Sequence, residues 1–334
     1  AMKGSYSTGG MACRLQSRDE EDSLIVQVLR SAGALPLCSG NVTQVMFLPE
    51  SVNNIWGRSL NPWDLKRTPG GSSGGDAALV AMGCVPLAAC SDVAGSIRIP
   101  ASFCGLVGFK PTSSRMSGKG NMIPRKYNKS GTAMLIPTVT GPIARTVEDC
   151  ALFMKATQVP QLWEGDLNIP RIPFNDEVYQ RPGEKVKIGY FDTDGWFEPC
   201  ATSKRAVQET VDALTGAGHT CVPFQLPTDG WFTFGLLSAI NGADGFRSFM
   251  EALEGEPLIA EYTPLLVATG IPDWLRWIVM QLIDKRRGHL LGQSRAGGFT
   301  VLELWQRYVT CAHTILCIRN IYIYHFRRLF VQNG

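Results

Sequence analysis

Apolar side chains recur at Leu24, Ile25, Val28 and Leu29 within residues 22–32, a spacing that places them on one face of a helix. Gly33 is positioned to stop that helix, and residues 34–37, Ala-Leu-Pro-Leu, read as a strand fed by it. From residue 185, Lys-Val-Lys-Ile-Gly-Tyr-Phe alternates as a strand does. Val207, Val211 and Leu214 then mark a helix stopped by Gly216 and Gly218, before strand-like residues 220–224. Strand, helix and strand over 185–224 make a βαβ unit, which predicts a parallel or mixed sheet. Residues 157–184 are rich in proline and charge without a clear period, which predicts a surface connection inside one domain.

Two apolar runs need separate readings. Residues 77–90 fall short of the ~18 residues of a membrane span and contain Gly83 and Pro86, so they predict buried core. Residues 271–283, Ile-Pro-Asp-Trp-Leu-Arg-Trp-Ile-Val-Met-Gln-Leu-Ile, lead into Lys285, Arg286 and Arg287. Pro272 and Asp273 suit a helix N-terminus. Residue chemistry leaves two readings of this segment open, a core helix with a solvated basic end or a helix lying in a membrane interface.

A chain of 334 residues can bury the core of one large α/β domain. Its formal net charge of +3 is too small a field to imply nucleic acid as a partner. The ten cysteines lack any Cys-x-x-Cys pair or zinc-ligand spacing and read as reduced and mostly buried. His219, His289, His313 and His325 are too dispersed for a metal site. Residues 1–6, Ala-Met-Lys-Gly-Ser-Tyr, lack the apolar core of a signal peptide and read as the start of a truncated chain.

The chemistry lies in two serine segments. Residues 70–75 are Gly-Gly-Ser-Ser-Gly-Gly, and Ser96 follows Ser72 by 24 positions within residues 92–100, Asp-Val-Ala-Gly-Ser-Ile-Arg-Ile-Pro. A serine hydroxyl attacks a carbonyl only with a base for its proton and donors for the oxyanion. Gly70-Gly71-Ser72-Ser73-Gly74 satisfies Gly-x-Ser-x-Gly, yet Pro69 and the glycines do not make the strand that a nucleophile elbow requires. No Lys-Ser or Lys-Thr follows, so a phosphate-binding P-loop is also a poor fit. The second segment is more specific. Residues 87–90 predict a buried strand and residues 96–105 a helix with Pro100 in its first turn, which puts Ser96 at a strand-to-helix junction. The N–H groups of Val93, Ala94, Gly95 and Ser96 could converge there on an oxyanion, with Asp92 and Arg98 paired to hold the loop.

Together these segments resemble the amidase signature family of serine hydrolases. Within it the resemblance is to the fatty acid amide hydrolases, from residue 26 to about residue 305. It runs through Met46-Phe47, Asn61-Pro62-Trp63, Phe103-Cys104-Gly105, Lys110-Pro111-Thr112 and Ala217-Gly218-His219-Thr220. The resemblance implies an α/β amidase signature fold, a central twisted mixed β-sheet covered by helices on both faces. In this chain it would be one partial domain (1–334) with its core at about 20–155, the βαβ unit at 185–224, cap-like helices at about 265–290 and a divergent tail at 308–334.

It implies a Ser-Ser-Lys mechanism without a cofactor or metal. Ser96 is the nucleophile and Ser72 relays its proton to a neutral lysine and protonates the leaving amine. Val93, Ala94, Gly95 and Ser96 form the oxyanion hole, Ser73 and Asp92 support the loops, and Met46 and Ser72 touch substrate. The implied substrate is a long-chain fatty acid amide, with an amidase of the same family acting on small polar amides, or a non-catalytic membrane- or lipid-binding fragment, as the alternatives. The cap residues Trp274, Leu275, Trp277 and Ile278 then favour the membrane reading, an intracellular protein held peripherally (monotopically) on a membrane surface, and a homodimer is admitted. The lysine of the family lies a few residues before the segment that Met2-Lys3-Gly4 resembles, so Lys3 matches a non-catalytic position. The chain as it stands is therefore expected to be a poor catalyst, by the ~10²- to 10⁴-fold that a positioned base contributes. Ala94 stands where the family usually has glycine, which predicts strain of roughly 1 kcal/mol if its φ is positive.

Overall fold

The structure is a computed structural model describing residues 1–16, 18–122, 136–180, 184–196, 198–230, 232–233, 236–237 and 247–262. Two compact units emerge: Ala1–Phe174 with Phe246–Thr269, and Asn175–Gly245 with Gly270–Gly334. The cap-like segment at 265–290 and the tail at 308–334 lie outside the described residues.

In the first unit the predicted helix forms as α1, Leu24–Ser31, and buries Leu24, Ile25 and Val28. The strand expected after it does not form. Residues 34–37 join no sheet among the described residues, and Leu35 and Leu37 remain 83% and 69% exposed. The Ala34 N–H closes the helix end on the Leu29 carbonyl, and Pro36 has no N–H to give a ladder.

After a short antiparallel ribbon of β1 (Val52–Asn53) and β2 (Gly57–Arg58) come α2 (Gly74–Ala81), β3 (Leu87–Asp92), α3 (Arg98–Phe103), β4 (Val107–Gly108) and β5 (Val139–Ala144). The sheet order is β3-β5-β4 with both pairs antiparallel, Leu87 opposite Ala144 and Asp92 opposite Val139. All of β5 is buried. Alternation along β3 shows what covers it: Leu87 packs against a cluster holding Leu24, Ile25, Val28 and Phe153, whereas Ala88 and Cys90 belong with Ala77, Ile97, Ala101 and Ile143. Helices therefore cover both faces, giving the expected α/β layering. The second cluster is largely alanine and cysteine, and such small side chains let α2 and α3 lie close to the sheet. Residues 70–75 and 92–98 are brought together as a result.

Helix α4, Val147–Thr157, starts at Thr146, whose hydroxyl accepts the Asp149 N–H at 3.1 Å. It buries Phe153 and Met154 against α1 and against α5, Pro160–Gly165. The surface connection expected over 157–184 is thus partly core. Leu162 of α5 is fully buried and Ile169 nearly so, two anchors too far apart to leave a period in the sequence.

The second unit contains α6 (Asp176–Tyr179) and the βαβ arrangement, in which β6 (Lys187–Tyr190) and β7 (Thr220–Pro223) pair in parallel around α7 (Ala201–Gly216). Val207, Val211 and Leu214 are the half-buried stripe of α7. Gly218, at φ 88°, turns the chain so that the His219 N–H reaches the Leu214 carbonyl. Helix α8, Arg247–Ala252, belongs to the first unit.

Eight described cysteines are free, but only Cys90, Cys104 and Cys150 are buried. Cys38, Cys84 and Cys200 are exposed because they sit in connections or at the α7 cap rather than on a packed face. The expectation that most are buried is not met. Replacing Phe153 with alanine, which opens the cluster between α1, α4 and α5, should lower the unfolding free energy by about 3–5 kcal/mol in urea titrations.

Candidate active site

Ser72 and Ser73 are 3% and 4% exposed and sit where the glycine run enters α2, with Ser73 at its N-cap. The Gly71–Ser72 peptide is cis. No strand precedes this loop, so it is not a nucleophile elbow. Its shape is held by a residue that sequence reasoning missed. Ser51 Oγ donates towards the carbonyls of Gly70 (3.1 Å) and Ser72 (3.0 Å) and accepts the Gly74 N–H at 2.8 Å. Gly71 lies against the backbone of Glu50, where a Cβ would come within 1.9 Å of the Glu50 carbonyl oxygen. That contact admits only glycine. A glycine run signals close approach of this kind, but nothing in the sequence marks Glu50 and Ser51 as the partners.

The second loop is organised by Asp92, which is fully buried at the end of β3. Its Oδ1 accepts the Gly95 N–H at 2.8 Å, and its Oδ2 accepts the N–H groups of Ile97 (3.1 Å) and Arg98 (3.4 Å). The Arg98 guanidinium closes on both oxygens, through Nη2 at 2.9 Å and Nε at 3.1 Å. Burial alone would raise the Asp92 pKa, yet Arg98 and the loop N–H groups outweigh it and hold the carboxyl below its usual range. Arg98 is 52% exposed, so its charge is partly screened and the N–H bonds carry much of the hold.

This geometry decides the state of the expected oxyanion donors. The Gly95 N–H is committed to Asp92. Those of Val93, Ala94 and Ser96 make no hydrogen bond among the described residues. The positive φ of the loop falls on Gly95, at 135°, and not on Ala94, so the expected strain at alanine is absent. Ser96 is half-buried two residues ahead of α3, and the Ser73 N–H reaches its carbonyl at 3.4 Å. The two serine loops therefore touch. Neither the Ser72 nor the Ser96 hydroxyl is hydrogen-bonded among the described residues.

Other candidates are placed as follows. Met46 is half-buried in a left-handed conformation (φ 56°). Lys3 is exposed, and its backbone N–H donates to Asp22. Trp274, Leu275, Trp277 and Ile278 lie outside the described residues. Beneath the serine loop, burial pushes the Asp76 carboxyl up to about 6 against the N–H of Gly40, and burial also raises the neighbouring Cys90 thiol. Cys90 is thus no thiolate nucleophile. Among the described residues no cluster of His, Cys, Asp or Glu could hold a metal, and His219 accepts a backbone N–H from Val186.

The motif residues outside the serine loops also meet. Asn61 donates to the carbonyls of Thr68 and Phe103, and the Trp63 indole donates to the Cys104 carbonyl at 2.8 Å. These bonds fasten the approach to the glycine run onto the end of α3.

Asp92→Ala should lower the unfolding free energy by about 3 kcal/mol, since buried N–H groups lose their acceptor. The comparison with Asp92→Asn should depend on pH. Because the folded-state pKa is depressed, the advantage of aspartate is complete at neutral pH and disappears as the pH falls below about 4, measured by denaturant titration at each pH.

Comparison with known proteins gives the same direction. The chain matches the Amidase family over residues 1–280. It is 44% identical over 259 residues to the vitamin D3 hydroxylase-associated protein of Gallus gallus, covering 76% of this chain and 53% of that protein. It is 34% identical over 340 residues to fatty-acid amide hydrolase 1 of Sus scrofa, covering 98% of this chain and 55% of that protein. A solved fatty acid amide hydrolase superposes with a TM-score of 0.74 at 23% identity, over 98% of this chain and 52% of that one, and shows the fold. The chain spans about half the length of the curated relatives it matches. With its serine loops joined in this manner and most of its length matched, the chain belongs to the amidase signature family.

Proposed function

We propose that the protein is a serine hydrolase that cleaves the amide bond of long-chain fatty acid amides. The observation that carries this reading is the joined pair of loops, in which Ser96 stands beside backbone N–H groups that have no partners among the described residues. Ser96 Oγ attacks the amide carbonyl carbon as its proton passes to Ser72, whose own hydroxyl proton moves on to the neutral lysine of the family. The oxyanion is taken by the N–H groups of Val93, Ala94 and Ser96, while that of Gly95 keeps Asp92 in place. Ser72 protonates the departing amine, and water then hydrolyses the Ser96 ester. In the family the proton of Ser72 is exchanged with a neutral lysine, whose position precedes the segment that Met2-Lys3-Gly4 resembles. A preorganised donor of this kind lowers an acyl-transfer barrier by about 3–4 kcal/mol.

The fatty acyl preference is supported by the similarity to fatty-acid amide hydrolase 1 across nearly the whole chain. Membrane association is supported by the tryptophans and basic flank of residues 271–287. No helix among the described residues is long and apolar enough to cross a membrane.

A fluorophosphonate probe should label Ser96, with no labelling in Ser96→Ala and a rate lowered by ~10²-fold or more in Ser72→Ala. Labelling that survives Ser96→Ala contradicts the assignment. Trp274→Glu with Trp277→Glu should shift the protein from the pellet to the supernatant when sedimented with anionic liposomes, and unchanged pelleting counts against the membrane reading.

A further inference from the structure

The segment before the serine loop is fastened at both ends by one carboxylate. Glu256 Oε1 accepts the Gln44 Nε2 at 2.7 Å and the Asn54 Nδ2 at 3.1 Å, and its Oε2 accepts the Ala12 N–H. No cation is among these partners. The donors come from two separate stretches of chain, Ala12 in one and Gln44 and Asn54 at the two ends of the other, and Gln44 is fully buried. Gln44 is further held by the Pro257 carbonyl (3.1 Å) and the Ile259 N–H (3.0 Å), and its own carbonyl accepts the Tyr262 hydroxyl at 2.7 Å. Arg58 adds a more exposed tie, pairing with both Glu50 and Glu261.

Between the fastened ends the chain is strained at one point and functional at another. Val45 and Met46 are consecutive non-glycine residues at φ 53° and 56°, a left-handed conformation that side chains disfavour, most of all the β-branched valine. Such a turn persists only where its surroundings hold it. A few residues later, Ser51 Oγ bonds to both sides of Ser72, and the Glu50 backbone presses on Gly71. Any shift of the 44–54 segment is therefore passed to the loop that carries Ser72.

We propose that Glu256 is a positioning residue: through residues 44–54 it sets the placement of the Ser72 loop, and with it the rate of acyl transfer. The proposal rests on the function inferred above. Glu256 touches neither serine and acts only through Gln44, Asn54 and the Ser51 hydroxyl.

The test compares the full chain with Glu256→Ala, Glu256→Gln and the milder Asn54→Ala, using time courses of fluorophosphonate labelling at Ser96 and amide hydrogen exchange. In Glu256→Ala the labelling rate should fall about 10- to 100-fold at an unchanged final labelled fraction, because the fold persists while the geometry loosens. Glu256→Gln, which retains one acceptor oxygen for Gln44 and Asn54, should recover part of the rate. Exchange at the Ser73 and Gly74 amides should quicken in Glu256→Ala and Asn54→Ala while that of α4 stays constant. An unchanged rate in both variants overturns the proposal. So does a loss confined to the labelled fraction with exchange at Gly74 unaltered, the result of a purely stabilising role. If the unmodified chain is not labelled, the acyl-transfer reading falls, and unaltered exchange at Gly74 would then overturn the coupling on its own.

Discussion

The buried carboxylate of Asp92 is the constraint on which the site depends. Placed at the end of β3, it must satisfy its oxygens without water, and the N–H groups of Gly95, Ile97 and Arg98 are the nearest donors. Gathering them bends residues 92–98 into a tight loop and starts α3. Only glycine accommodates the resulting φ of 135° at residue 95 beside Ile99, and the loop's remaining N–H groups at 93, 94 and 96 are left without partners among the described residues. Loop, helix start and candidate oxyanion hole thus share one cause.

The glycine-serine loop has no such internal anchor and is shaped from outside. Ser51 and Glu50 press on it from one side, the Ser96 carbonyl takes its Ser73 N–H, and the small residues of α2 and α3 let both loops approach the sheet. Each of these contacts joins residues distant in sequence. The Glu256 hub extends the same logic one step outward, bonding chain stretches more than 200 positions apart.

That distribution explains what could be read in advance. α1 and the βαβ unit were legible because their apolar positions repeat at helical or strand spacing. The serine loops were legible because glycine, serine and aspartate are demanded there by close approach and hydrogen bonding. The strand expected after α1 does not form: Ala-Leu-Pro-Leu looks extended in isolation, whereas a strand needs a partner and residues 34–37 have none among the described residues. Leu162 and Ile169 were missed as core because two anchors make no period. Ser51, Gln44 and Glu256 were invisible because a polar contact between distant segments leaves no local pattern. The commitment of the Gly95 N–H to Asp92, one of the four N–H groups expected to be oxyanion donors, likewise needs coordinates.

The account's central claim is that Asp92 shapes a donor set for the oxyanion next to Ser96. A crystal structure of the fluorophosphonate adduct tests it most directly. The phosphorus should be bonded to Ser96 Oγ, with the phosphoryl oxygen roughly 2.7–3.1 Å from the N–H nitrogens of Val93, Ala94 and Ser96 and the Gly95 N–H still on Asp92. A phosphoryl oxygen turned away from these groups, or an adduct on another residue, would contradict it.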